Sequence, residues 1–185
     1  MKKILSILSI LLVCVLLTGC GKKSITLNSP IEHKDWEFKL VNVEFSDIIG
    51  NTLTEFYLTS SYDKGDNRFY VKAESDKTFL LFELQMEYKG NKKLSINFEE
   101  ELELNYNDGY IVEPFDASVN IGDKWDNWVY VAGTRADNTE KLEVDPLEET
   151  TYILRGVFEV SEKVETEIEN SLILKLPFDL EYTVR

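Results

Sequence analysis

The chain has 185 residues, with 34 Asp and Glu against 20 Lys and Arg, and a formal net charge of −14. So acidic a surface repels nucleic acid and other anionic polymers, which leaves cations, cationic peptides, neutral glycans or another protein as partners. The length fits one domain that can bury roughly 70% of its unfolded surface and needs no disulfide to fold.

The N-terminus reads as an address. Lys2 and Lys3 precede an apolar and small-residue run from Ile4 to Leu17. A bilayer span takes about 20 apolar residues, so this run is too short to cross and suits the core of a signal peptide. It ends in Leu17-Thr18-Gly19-Cys20, which resembles a bacterial lipobox. The resemblance implies that signal peptidase recognises Leu17, Thr18 and Gly19 and cuts before Cys20, whose sulfur then carries a diacylglyceryl group. An ordinary secretory signal or an uncleaved anchor is the alternative. The expected organisation is a signal peptide over 1–19, a lipidated Cys20 with a tether over 20–33, and a domain over 34–185. The expected location is the extracytoplasmic face of the cell membrane, since two acyl chains give stable anchoring. Lys22 and Lys23 could then rest on anionic headgroups, worth roughly 1 kcal/mol each. Cys14 leaves with the signal and Cys20 becomes the anchor, so no thiol remains for a disulfide, a zinc site or a nucleophile.

Beyond the signal the dominant period is two. Trp36, Phe38 and Leu40 share one parity and Val41, Val43 and Phe45 the other, which predicts a β-bulge near Leu40-Val41. Strands are predicted at 55–60 and 68–73, then at 79–88 with Leu80, Phe82, Leu84, Met86 and Tyr88 inward. Residues 94–106 read as one strand with Leu94, Ile96, Phe98, Leu102, Leu104 and Tyr106 inward, followed by an Asn107-Asp108-Gly109 hairpin turn. Further strands are predicted at 110–113, 128–132 and 151–160. Ser161 to Asn170 could be a short helix with Ser161 as N-cap, marginal without packing. From Leu172 to Val184 every even position is apolar, which predicts one half-buried strand, with Pro177 on its outward face at an edge or bulge. About eight short strands with regular turns predict an all-β, antiparallel, immunoglobulin-like β-sandwich.

Three segments carry a family resemblance: AESDKTFLLFELQMEYKGNKKLSI (73–96), FEEELELNYNDGYIV (98–112) and LEVDPLEETTYILRGVFEV (142–160). Together they are similar to the telokin-like, immunoglobulin-like domain common in lipoproteins of Gram-positive bacteria, a group of unknown function. The resemblance implies an extracytoplasmic β-sandwich over about 34–185 and supplies no catalytic residues. It departs from the usual Asn-x-Gly turn, which here reads Lys89-Gly90-Asn91.

Catalytic chemistry has little to stand on. The single histidine, His33, lies beside the expected tether, whereas a Ser-His-Asp site needs a positioned base. A carboxylate pair about 5 Å apart could cleave a glycosidic bond, which keeps a carboxylate-based envelope enzyme as one alternative. Calcium takes six to eight oxygens, and the acid loops Asp63 to Asn67, Asp123 with Asp126 and Asn127, and Asp137 to Glu140 could offer some. None matches an EF-hand, so no metal or other cofactor is expected, with a calcium-stabilised structural module as the second alternative. Trp125, Trp128 and Tyr130 could form a contact surface, or Trp125 could cap the end of the sandwich. In FEEELELNYNDGY, Glu99, Glu101 and Glu103 form an outward row, while Glu100 alone sits on the apolar parity, at a bulge or as a partly buried carboxylate. The sequence thus predicts a lipid-anchored extracytoplasmic binding module without catalysis. It would be tied to the membrane through Cys20 and would contact an envelope protein or glycan, not nucleic acid.

Overall fold

The computed structural model describes residues 22–49, 62–63, 68–69, 71–98, 101–107, 109–122, 128–133, 139–147 and 150–185. The strands are β1 (Lys23–Ser24), β2 (Ile31–His33), β3 (Trp36–Ser46), β4 (Ile48–Ile49), β5 (Tyr62–Asp63), β6 (Arg68–Phe69), β7 (Val71–Lys72), β8 (Lys77–Tyr88) and β9 (Leu94–Ile96). There follow β10 (Glu103–Tyr106), β11 (Tyr110–Val112), β12 (Asp116–Ile121), β13 (Trp128–Ala132), β14 (Leu142–Val144), β15 (Thr151–Ser161), the helix α1 (Glu162–Thr166), β16 (Leu172–Leu176) and β17 (Leu180–Thr183).

Two sheets form the sandwich. A six-stranded sheet runs β13-β12-β15-β8-β3-β2 and a five-stranded sheet runs β1-β17-β16-β10-β11. Among the described pairings all are antiparallel except β1 with β17. Period-two alternation turns one row of each strand inward, and these rows meet as the core. Leu40, Leu84 and Leu154 come from one sheet, and Leu104, Leu174 and Leu180 from the other. At one end Trp36 stacks among Phe38, Tyr88, Tyr152 and Phe178, with ring centroids 4.9–6.1 Å apart. The FLLF run of β8 has no polar parity because both of its faces are covered. Leu80 and Phe82 enter the main core, while Phe79 and Leu81 join Ile49 and Val157 in a second, smaller one.

The bulge lies where the parity switch predicts. Leu40 pairs with Leu84 and Asn42 with Glu83, leaving Val41 as the extra residue, so Val43 and Phe45 pack against the main core. The strands predicted at 79–88, 110–113, 128–132 and 151–160 are present, while that at 55–60 lies outside the described residues. The helix is present but shorter than 161–170. The Ser161 hydroxyl accepts from the Lys163 N–H at 3.4 Å, and buried Val164 pins its inner face.

Several expectations are corrected. Residues 94–106 form two strands: β9 pairs with β14, and β10 with β16 and β11. The alternation is unbroken because Phe98 and Leu102, at either end of the crossing, both point into the core. Residues 172–184 form a hairpin in which Leu176 pairs with Leu180 and Phe178 and Asp179 take positive φ, 66° and 61°. Cross-strand partners share a face, so an even separation carries the apolar parity through the turn and hides it. Pro177 is buried at that turn, not on an outward strand face. The sheet also starts before residue 34. Lys23 and Ser24 pair with Leu180 and Glu181, Ile25 is in the core, and Ile31 to His33 pair with β3. Residues 23–33 therefore belong to the fold. The unpredicted β12 reads DASVNI, and its buried Asp116 and Asn120 break the apolar alternation that would have announced it.

Candidate functional site

A broad concavity lies at one end of the sandwich, between the β10–β11 hairpin and α1. Tyr106 and Tyr110 are paired across the turn, which places two aromatic rings side by side, and Asn107 takes the positive φ, 52°, that the turn requires. Opposite them the chain leaves β15 at Ser161 and turns into α1, bringing Val160 and Val164 to the other wall. The groove between has a volume of about 720 Å³ and is walled by Tyr106, Tyr110, Val112, Val160 and Val164. Lys77, Lys163, Glu159 and Glu167 stand around it.

Its floor is fixed by hydrogen bonds. The Tyr106 hydroxyl donates to Glu167 Oε2 at 2.6 Å, and Asn170 Nδ2 donates to the Tyr106 hydroxyl at 2.6 Å and to Glu167 at 2.9 Å. The Glu167 carboxylate, helped by burial, pushes the Tyr106 hydroxyl pKa above the ordinary tyrosine value. Lys77 is held by Glu159 at 2.9 Å and Glu74 at 3.0 Å, and its pKa is raised chiefly by the hydrogen bond to Glu159. These groups are occupied with one another. The apolar group left open is Tyr110, 66% exposed on the outermost strand of the five-stranded sheet, with exposed Asp76 and Lys163 across the rim. Such a surface can take an aromatic or aliphatic side chain, or the flat face of a sugar ring.

A second, charged depression lies on the same sheet toward the other end, among Lys22, Lys34, Lys175, Glu101, Glu103 and Asp179. It is closed by its own ion pairs. Lys175 meets Glu103 at 2.5 Å, Lys34 meets Asp179, and Glu101 accepts the Phe178 N–H at 2.8 Å. Lys34 holds the Asp179 carboxyl below the usual carboxylate range. The outward glutamate row thus serves the sheet and its hairpin where it is described, at Glu101 and Glu103. Glu99 and Glu100 lie outside the described residues.

The other residues singled out in the sequence are scattered or undescribed. Leu17, Thr18, Gly19, Cys20, Asp123, Trp125 and Asp126 lie outside the described residues, as does most of the loop from Asp63 to Asn67. Trp128 opens β13 with its backbone opposite Asn120. Tyr130 is half-buried on that edge strand, packed so that a Cβ on Gly133 would meet its hydroxyl at 2.5 Å. Tyr130 does not line the groove, which lies between the β10–β11 hairpin, the start of β8, the end of β15 and α1. His33 is half-buried in β2 beside Trp36. Among the described residues no group of three or more His, Cys, Asp or Glu is placed to hold a metal ion, and no helix is long and apolar enough to cross a membrane. The groove escaped the sequence reading because its walls come from three separated segments. The local signal was the pair of tyrosines flanking Asn-Asp-Gly, followed by Ile111 and Val112.

No protein-family model and no curated protein matches the chain. Among solved structures, an uncharacterized β-sandwich protein from Clostridium difficile 630 shares the fold. It has a TM-score of 0.56 and 24% identity, over 89% of this chain and 95% of that one. A conserved hypothetical protein from Bacillus anthracis aligns with a TM-score of 0.46 and 11% identity, over 91% of this chain and 100% of that one. This chain is therefore an all-β sandwich, the fold it shares with the Clostridium difficile protein.

Proposed function

We propose that this protein is a lipid-anchored, extracytoplasmic binding module of the telokin-like, immunoglobulin-like kind, acting by contact and without catalysis. It would engage an envelope protein or glycan through the groove between the 106–110 hairpin and α1. The observation that carries the reading is the groove itself: apolar walls on fixed hydrogen-bonded supports, with Tyr110 exposed at its mouth. Surface tyrosines set in such a pocket are frequent anchors of binding energy. The motif Leu17-Thr18-Gly19-Cys20 supports the anchor. The mutual pairing of Lys77 with Glu159 and of Tyr106 with Glu167 supports a contact role over acid–base work.

The test is crosslinking in intact cell envelopes with the full-length protein, comparing wild type with Tyr110→Ala and Val112→Asp. A specific crosslinked protein or glycan should be recovered with wild type and lost with both variants, while their circular dichroism stays native. Recovery undiminished by either substitution would remove the groove as the contact site, and turnover of an envelope glycan by the purified protein would replace the reading with an enzymatic one.

A further inference from the structure

The topology fixes which end of the sandwich the N-terminal chain enters. β1 runs parallel to β17 with Lys23 opposite Leu180, so the first described residues lie beside the 177–179 turn. The 34–35 turn reaches the same place, since Lys34 pairs with Asp179. Tyr88 pairs with Trp36, and the Lys89 N–H donates to the Asp35 carbonyl at 2.8 Å, which brings the 89–93 turn alongside. Leu94 pairs with Val144 and Thr151 with Glu87, so the turn that begins at Asp145 is there too. The groove lies at the far end. Lys77, at the start of β8, lines it, whereas Tyr88 closes the same strand beside the entry point.

We infer that the end carrying the 34–35, 89–93 and 145–147 turns rests on the headgroup layer of the bilayer, with Leu147 seated in it and the groove held outward. The inference rests on the proposed anchor at Cys20. Cys20 is two residues before Lys22, and two residues span at most about 7 Å. Lys22 is itself tied to Glu181 at 2.6 Å, and the Lys23 backbone N–H donates to Asp179 at 2.9 Å. With that little slack, a lipid on Cys20 draws this end, and no other, onto the membrane.

Leu147 is the apolar group this end offers. It is 89% exposed, and single exposed leucines are common on protein surfaces; its position and rigidity are what matter. Its N–H donates to Asp145 Oδ1 at 3.0 Å, and Asp145 is bound to Lys93 at 2.7 Å. The leucine is thus held out on a braced turn. The adjoining turn is braced as well, because the Tyr88 hydroxyl folds over Gly90 and donates to the Lys92 carbonyl at 2.9 Å. Charge agrees with this placement among the described residues. At the anchored end Lys22, Lys34, Lys89 and Lys93 each neutralise an acid, and exposed Lys92 partly offsets exposed Glu32 and Asp35. At the far end α1 and the turn after it carry Glu162, Glu165, Glu167 and Glu169 against Lys163. The excess acid points away from an anionic bilayer. With β8 upright, its rise of about 3.3 Å per residue sets the groove roughly 36 Å from the headgroups.

Depth probes test this. Once the signal is cleaved, Cys20 is the sole cysteine and is blocked by lipid, so Leu147→Cys, Lys92→Cys and, at the far end, Glu165→Cys can each carry one bimane label. All three sites are exposed, so the label should not disturb folding. The full-length lipidated protein would be placed in vesicles of phosphatidylethanolamine and phosphatidylglycerol containing a headgroup-spin-labelled lipid. Quenching should be several-fold stronger at 147 and 92 than at 165. Equal quenching at the three sites, or stronger quenching at 165, overturns the orientation. Mass spectrometry of the same preparation separates the two ideas. A missing diacylglyceryl mass on Cys20 defeats the anchor, whereas a lipidated protein with equal quenching defeats the orientation alone.

Discussion

Replacing Gly156 by alanine should destabilise the protein, although the same change in an open strand would stabilise it. Gly156 lies in β15, in the interior of the six-stranded sheet, directly opposite Phe82 of β8. A Cβ there would stand 2.2 Å from Phe82 Cε1 and 2.5 Å from Cζ. Carbon atoms in contact sit about 3.5–4.0 Å apart, so the ring must retreat by more than about 1 Å. It has little room to do so: Phe82 is 2% exposed and stacks on Phe158, with ring centroids 6.1 Å apart and planes at 27°. Overpacking of a tight core costs about 1–3 kcal/mol. The entropy that alanine removes from the unfolded chain returns about 0.4–1 kcal/mol. The net loss is then about 1–2 kcal/mol, and a domain of this size loses about 2–4 °C of Tm for each kcal/mol. Thermal unfolding followed by circular dichroism reads it directly. In a Phe82→Leu background the alanine should cost almost nothing, a non-additivity of about 1 kcal/mol or more, typical of residues in contact. A Tm equal to wild type for Gly156→Ala, or additive losses in the double variant, would show that the glycine does not make room for this ring.

Two further outcomes follow from the groove and the charged depression. Val164→Ala removes two methyl groups from a buried contact, about 1–2 kcal/mol by area and cavity, from a helix of five residues that packing alone sustains. Amide hydrogen exchange should accelerate across 162–166 while β8 keeps its protection, and an equal loss of protection in both would refute a local effect. Lys34→Met should weaken the protein at neutral pH but not in acid. Lys34 lowers the Asp179 pKa, so the stabilisation is present above the unfolded aspartate value of about 3.9 and is lost as pH falls through the folded value. Urea midpoints of wild type and variant should differ at pH 7 and converge below the carboxylate range. A gap that persists unchanged into acid would point to a packing effect of the lysine stem instead.

The fold class was readable because alternation is a local signal and the two sheets share one core. Where the reading failed, the same signal was the cause. In 172–184 and 94–106 the chain turns or changes sheet without changing parity, so Leu176-Leu180 and Phe98-Leu102 look continuous in one dimension. The bulge at Val41 was visible for the opposite reason, since there the parity itself changes. β1 was hidden because Lys23 and Ser24 are polar and their pairing with β17 spans nearly the whole described chain. The groove was illegible as a site: Tyr106, Val112 and Val164 each have an ordinary structural explanation alone, and only their convergence makes a surface.

That convergence has a mechanical consequence. Lys77 and Val160, which line the groove, belong to β8 and β15, and these strands pair without a register break from Thr151–Glu87 to Ser161–Lys77. The other ends of the same two strands adjoin the turns at 89–93 and 145–147. One ladder, buried over much of both faces, therefore joins the proposed membrane end to the proposed binding end. Because the fold begins at Lys23 and not after a long tether, the proposed anchor leaves only Cys20 to Lys22 as slack. A binder on a flexible stalk samples a volume set by its linker. This one would hold its groove at a nearly constant height, which favours a partner presented at that height, such as a neighbouring membrane protein, over a ligand buried in the headgroups.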